Sequence, residues 1–170
     1  MIIDDDDLRK DKIIFREVMW NDTNMQKEIL WVDAQCFPDD SPVSFKFASF
    51  WWIGYLGIQP VCHAAWRPHV VSDELNPLHA PDVWGFLYRA AVLPSVRGKG
   101  LQKRMIKLRE DDMRKRGITH SVTYTQTYSI ASMKSLMAAG YTPYETTKAT
   151  NLAGEDRAAK FVHWEKNLGR

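Results

Sequence analysis

The chain has 170 residues, of which 45% are hydrophobic and 26% charged; this supplies one apolar core and excludes a wholly disordered polymer. No run approaches the ~18 consecutive apolar residues of a membrane span. Met1–Ile3 followed by Asp4–Asp7 has no secretory character, and two isolated cysteines, Cys36 and Cys62, make neither a disulfide framework nor a metal site. A metal-free, cytoplasmic protein without a membrane partner is the expectation. The net charge of +2 is unevenly spread: residues 1–40 carry 11 acids and 5 bases, whereas residues 97–116 carry 9 bases and 3 acids. Such a basic block is either a solvated helix face or a local polyanion site.

Residues 1–12 are mostly charged and read as a flexible acidic lead-in, leaving 13–170 as a single domain. Lys12–Val18 is strand-like. Asn21, Asp22 and Thr23 offer a helix cap, and Ile29, Leu30, Val32, Ala34 and Phe37 give a helix of about four turns. Pro38 ends it, and a loop runs to Ser49. Phe50–Leu56 and Gln59–Arg67 read as two strands joined at Gly57-Ile58, and His69–Asp82 as a polar connection. Trp84–Val92 is an apolar and therefore central strand. A helix follows to about Arg116, closed by Gly117. Ser121–Thr127 alternates as a strand, Ile130–Ala139 is a helix ended by Gly140, and Tyr141–Thr147 and Ala159–Lys166 are two last strands. The order predicts an α/β domain with a single mixed, mostly antiparallel sheet of about seven strands flanked by helices.

Val92 to Leu101 is the most informative stretch. A strand ends, Gly98 and Gly100 follow with one residue between them, and an amphipathic helix begins, with Leu101, Met105, Leu108 and Met113 as its apolar stripe. Glycines let the backbone approach a ligand, the first helical N–H groups have no internal acceptor, and the helix dipole adds positive charge there. Lys99, Lys103, Arg104 and Lys107 add formal charge, so the stretch reads as an anion cradle. Neither phosphate-loop motif, G-x-x-x-x-G-K followed by Ser or Thr nor G-x-G-x-x-G, occurs, which argues against a nucleotide fold.

These residues resemble the acetyl-coenzyme A loop of the GNAT superfamily of N-acyltransferases: Arg or Gln, two residues, Gly, one residue, then Gly or Ala. Arg97 and Gly100 match, and Gln102 stands at the final position. Ser129-Ile130-Ala131-Ser132-Met133, through Leu136 to Gly140-Tyr141, is similar to the family's second signature helix. The resemblance spans about residues 13–168. It implies a sheet splayed at its central parallel pair, 84–92 beside 121–127. It further implies acetyl-CoA as cofactor, its pantetheine arm along Ala91, Val92 and Leu93 and its pyrophosphate on the backbone of Arg97, Gly98, Lys99, Gly100, Leu101 and Gln102. Ser129 and Ser132 would line the same groove. The implied activity is direct transfer of an acetyl group, in a ternary complex, to an amine on a small molecule, peptide or aminoacyl group; a homodimer is compatible with it.

Acyl transfer to an amine needs a neutral nucleophile, a stabilised oxyanion and a proton donor for the leaving thiolate. The resemblance places the oxyanion at the Val92 amide. It supplies no donor: Leu136 occupies the position where many family members have tyrosine, and Phe86–Val92 contains no carboxylate. Tyr128, Tyr124 and Tyr88 are the candidate donors, each with packing as its alternative role. His79 and Glu74 are candidate loop bases, and His63 reads as a core histidine. Asp39, Asp40, Asp73 and Glu74, together with Phe45, Phe47, Phe50, Trp51 and Trp52, suit a cationic amine. Two other readings stand beside the enzyme. One is a non-catalytic acyl-CoA-binding module, motivated by the missing tyrosine and carboxylate. The other is a nucleic-acid binder using the 97–116 helix, which the coenzyme reading makes unnecessary.

Overall fold

The computed structural model describes residues 12–45, 48–71, 82–145 and 160–169. In chain order its elements are β1 (Ile13–Val18), α1 (Thr23–Cys36), β2 (Phe50–Leu56), β3 (Gln59–Val71) and β4 (Asp82–Val92). A 3-10 turn (Pro94–Val96), α2 (Leu101–Lys115), β5 (His120–Gln126), α3 (Ile130–Ala138), β6 (Thr142–Tyr144) and β7 (Phe161–Asn167) follow. The strands form one seven-stranded sheet in the order β1-β2-β3-β4-β5-β7-β6. β4 and β5 run parallel, while β1 with β2, β5 with β7 and β6 with β7 are antiparallel. The mixed α/β sheet expected from the sequence is therefore the fold.

Most boundaries agree with expectation to within two residues, and two strands differ by more. β3 continues to Val71 rather than stopping at Arg67, because its last residues alternate half-buried and exposed like an ordinary strand. β6 is three residues long. Asp73, Glu74 and His79 lie outside the described residues, as do Phe47 and the acidic lead-in.

The chain divides into two compact units, Met1–Ala65 with Arg89–Met105, and Trp66–Tyr88 with Ile106–Arg170. In the first, β1 pairs with β2 from Ile13↔Leu56 to Val18↔Trp51. Its core joins Ile13, Val32, Val61, Cys62, Ala64, Ala91, Leu93, Val96, Leu101 and Met105. Burial of each larger apolar side chain among these contributes ~1.5–3 kcal/mol. α1 starts where Asp22 accepts a hydrogen bond from the Met25 N–H at 3.0 Å, as an N-cap should. Its inner face is Ile29, Val32 and Asp33. Ala34, placed on the apolar stripe by periodicity, is exposed, and the acidic Asp33 is buried in its stead.

In the second unit β5 pairs with β7 from His120↔Asn167 to Gln126↔Phe161. One face meets α2: Met113 presses on Gly85, Trp66 Nε1 donates to Asp112 at 2.9 Å, and Lys166 Nζ holds both Glu110 oxygens at 2.9 Å. The other face carries a row of rings in mutual contact: Phe86, Tyr124, Phe161, His163 and Tyr144. The parallel ladder of β4 and β5 is short, with Gly85↔Ser121 and Phe86↔Val122 in register. Just past it a side chain takes over, Thr123 Oγ1 donating to the Leu87 carbonyl at 3.0 Å.

Candidate active site

The turn between β4 and α2 belongs entirely to the first unit. Pro94 opens the 3-10 turn, whose fixed φ suits a first helical position. The chain then reverses through Gly98 and Gly100, with φ of 78° and 71°, in the left-handed region that L side chains avoid. A Cβ added at either glycine would meet no atom within 4 Å. These glycines are therefore required by backbone conformation, and open space lies over them. The first helical bond of α2 is Arg104 N–H to Gly100 O at 3.2 Å. The N–H groups of Leu101, Gln102 and Lys103 precede it and have no acceptor within the helix.

β4 leads into this turn with a defined hydrogen-bonding edge. Leu93 N–H donates to Val61 O at 2.9 Å, so Leu93 faces β3. Antiparallel alternation turns the N–H and C=O of Val92 and Ala90 to the opposite edge. There the Val92 carbonyl accepts from Arg97 Nε at 3.1 Å. Of the three residues expected to hold a pantetheine arm, Val92 turns its amide to the Cys36 thiol, to which it donates a backbone hydrogen bond, whereas the Leu93 amide is committed to the sheet. The glycine-borne open space and the helix N–H groups fit a pyrophosphate.

The basic block is less exposed to a ligand than its sequence implies. Arg104 Nη2 donates to the Ile13 carbonyl at 2.9 Å and lies over the Phe15 ring. Lys107 pairs with Asp111 at 2.6 Å and Arg116 with Asp112 at 2.9 Å. Arg109 is buried, which lowers its pKa to about 10. Lys99 and Lys103 are exposed beside the turn. The buried stripe of α2 shifts accordingly: Leu101, Met105, Ile106, Arg109, Glu110 and Met113 are buried, and Leu108 is only half-buried.

A buried charge cluster stands next to the turn, in the same unit. Asp33 of α1 receives Arg89 through Nε at 2.9 Å and Nη2 at 2.9 Å, and His63 Nε2 lies 3.1 Å from Asp33 Oδ1. Burial alone would raise the Asp33 pKa; the hydrogen bonds from His63 and Arg89 outweigh it and hold the carboxyl below its ordinary value. Arg89 Nη1 donates to Asp40 at 2.9 Å, and the guanidinium lies 4.1 Å from the Phe37 ring centroid. His63 is a core histidine packed against Trp51. Burial also raises the thiol pKa of Cys36, at the end of α1, against the influence of Arg97.

Sequence reasoning passed over Asp33 and Arg89, although both left a signal. Arg89 is the charged residue inside an otherwise apolar strand segment, and Asp33 sits at the helical spacing of Ile29 and Cys36.

The candidate proton donors lie in the second unit. Tyr124 is stacked on Phe86 at 5.7 Å and edge-on to Phe161 at 4.9 Å. Tyr88 carries Arg67 over its ring at 4.9 Å. Tyr128 is 74% exposed in the turn before α3. Ser129 caps α3 without a side-chain hydrogen bond and is half-buried, Ser132 is exposed, and Leu136 is buried. Among the described residues, no group of three or more His, Cys, Asp or Glu could hold a metal, and no helix is long and apolar enough to cross a membrane.

The mixed sheet, its central parallel pair and the two-glycine turn at the head of α2 are the features that the acyltransferase resemblance implies. Residues 17–141 match the model described as the acetyltransferase (GNAT) family, and the chain belongs to that family. Comparison with curated proteins returned no match. Among solved structures, aminoglycoside 6'-acetyltransferase type Ii is similar, with a TM-score of 0.69 at 13% identity over 92% of this chain and 98% of that one. The ribosomal-protein-S18-alanine N-acetyltransferase from Escherichia coli gives 0.65 at 12% identity over 94% and 96%. A chain of the NatC complex bound to Gag peptide and CoA gives 0.66 at 14% identity over 93% and 99%. At these identities the likeness is one of fold.

Proposed function

We propose that the protein transfers an acetyl group from acetyl-CoA directly to an amine acceptor. The observation that carries this reading is the β4–α2 turn, where two left-handed glycines and a helix N-terminus leave open, electropositive backbone in a chain of the acetyltransferase family. Acetyl-CoA, when bound, supplies the activated acetyl thioester. The N–H groups at the head of α2 and exposed Lys99 and Lys103 hold its phosphates. Arg97, Gly98 and Gly100 shape the backbone around them. The amide of Val92 donates to the thioester carbonyl as charge develops on that oxygen, in exchange for its hydrogen bond to the Cys36 thiol.

Tyr128 is the proposed proton donor among the three tyrosines. The rings of Tyr124 and Tyr88 are engaged in aromatic and cation–π packing, whereas Tyr128 is exposed. An exposed phenol carries a proton that it can give up to a leaving thiolate.

Thiol release from acetyl-CoA across a panel of small amines, peptides and aminoacyl compounds tests the reading. Turnover with at least one acceptor is expected. Tight coenzyme A binding without turnover of any acceptor would instead identify a non-catalytic acyl-CoA-binding module.

A further inference from the structure

Arg89 lies on β4 three residues before Val92, a separation of about 10 Å along an extended strand. Its guanidinium serves two unequal carboxylates. The inner edge, Nε and Nη2, is locked by two 2.9 Å bonds onto Asp33, whose side chain is 4% exposed. The Phe37 ring covers the plane. Asp33 and Phe37 therefore orient the guanidinium without help from Asp40. The outer donor, Nη1, reaches Asp40 at 2.9 Å, and that carboxylate is 52% exposed on the segment after α1. Asp33 cannot leave without stranding buried charge. Asp40 can, because an exposed single ion pair is worth about a fivefold preference or less.

A pre-oriented arginine donor covered by an easily displaced carboxylate can exchange that carboxylate for one carried by a ligand. A purely cationic ligand gains nothing from it, since it would face the guanidinium. We propose that Asp40 is a placeholder and that Arg89 Nη1 binds a carboxylate carried by the acetyl acceptor. The acceptor class is then a small amine that also bears a carboxylate, as an amino acid does. The exchange makes and breaks no covalent bond and leaves one carboxylate on each side of the guanidinium. This inference rests on the acetyl-transfer reading above.

The test compares an amino acid with its carboxamide as acceptors for the intact protein, for Asp40→Asn and for Arg89→Lys. In the unmodified protein the amino acid should have a KM at least about tenfold lower than the amide, the scale of a charge-assisted arginine–carboxylate contact. Asp40→Asn removes the competitor and should lower the KM of the amino acid about fivefold while leaving that of the amide unchanged. Arg89→Lys loses the planar fork and should bring the acid-to-amide ratio toward one. Equal KM values in the unmodified protein, or a raised KM for the acid in Asp40→Asn, would overturn the proposal. Should Arg89→Lys fold poorly, Asp40→Asn alone decides. If no acceptor is turned over, the acetyl-transfer reading falls. Calorimetric titration of the amino acid into the unmodified protein and Asp40→Asn then still decides the subsite, with absence of heat in both overturning it.

Discussion

Arg89 and Asp33 meet through two parallel hydrogen bonds of 2.9 Å, one from Nε and one from Nη2, with His63 closing on the same carboxylate at 3.1 Å. This fork ties α1 to β3 and β4 at a single buried acid. Removing that acid strands an arginine and a histidine inside the unit. Asp33→Asn should cost about 2–3 kcal/mol, somewhat below the loss for a fully buried pair because the Arg89 side chain is 22% exposed. Urea unfolding should show a lower midpoint at unchanged slope.

The same carboxyl gives stability a pH dependence of known sign. The folded pKa of Asp33 lies below its ordinary value, so the folded state favours the ionised form. Its contribution is fully present above the unfolded carboxyl pKa of about 4 and is lost as pH falls through the lower folded value. The part of the stability gap between the unmodified protein and Asp33→Asn that comes from this carboxyl should shrink below about pH 4. Thermal unfolding above and below that pH checks this.

Gly98 and Gly100 share their left-handed conformation with Gly117, at the end of α2, and none of the three has an atom within 4 Å of an added Cβ. Alanine at each should cost a similar ~1–2 kcal/mol from backbone strain alone. Function should separate them. Gly98→Ala and Gly100→Ala should raise the KM for acetyl-CoA several-fold, whereas Gly117→Ala should leave it unchanged.

Loss of the phenol should matter unequally among the tyrosines. Tyr128→Phe should lower kcat by about a hundredfold, the low end for a positioned proton donor, with little change in either KM. Tyr124→Phe keeps the ring that stacks on Phe86 and should retain kcat within about threefold. Steady-state kinetics of the two variants at saturating substrates would distinguish these outcomes, and similar losses in both would remove Tyr128 from its role.

Gly85 is constrained by packing rather than by φ. A Cβ there would stand 2.5 Å from Met113 Sδ and 2.8 Å from its Cε. Gly85→Ala should therefore destabilise by about 1–2 kcal/mol, the cost of overpacking offset in part by the flexibility of methionine. Met113→Leu in the same chain should make the substitution worse, since the branched side chain has fewer ways to give. Denaturation of the single and double variants measures the difference.

Much of this arrangement is legible in the residues themselves. Among the described residues, period-two and period-3.6 patterning places the strands and helices in order, because local backbone preference and one-sided burial act over a few neighbouring residues. Gly98 and Gly100 after Pro94 announced a tight turn and a helix start for the same local reason. The net charge did not translate so directly. The excess of bases between 97 and 116 reads as a ligand surface, yet Arg104 turns to the Ile13 carbonyl, Arg109 is buried and Lys107 and Arg116 close on acids one helical turn away.

The sequence by itself determined the family signature, the mixed sheet and the backbone of the β4–α2 turn, all consequences of short-range patterning. Only the tertiary structure decided which charges meet. Asp33 in α1 with Asp40 just after it, His63 on β3 and Arg89 on β4 come from three separate places in the chain, and no spacing rule links those places. Long-range packing of α1 brings them to one point, where the cost of burying a charge selects its partner.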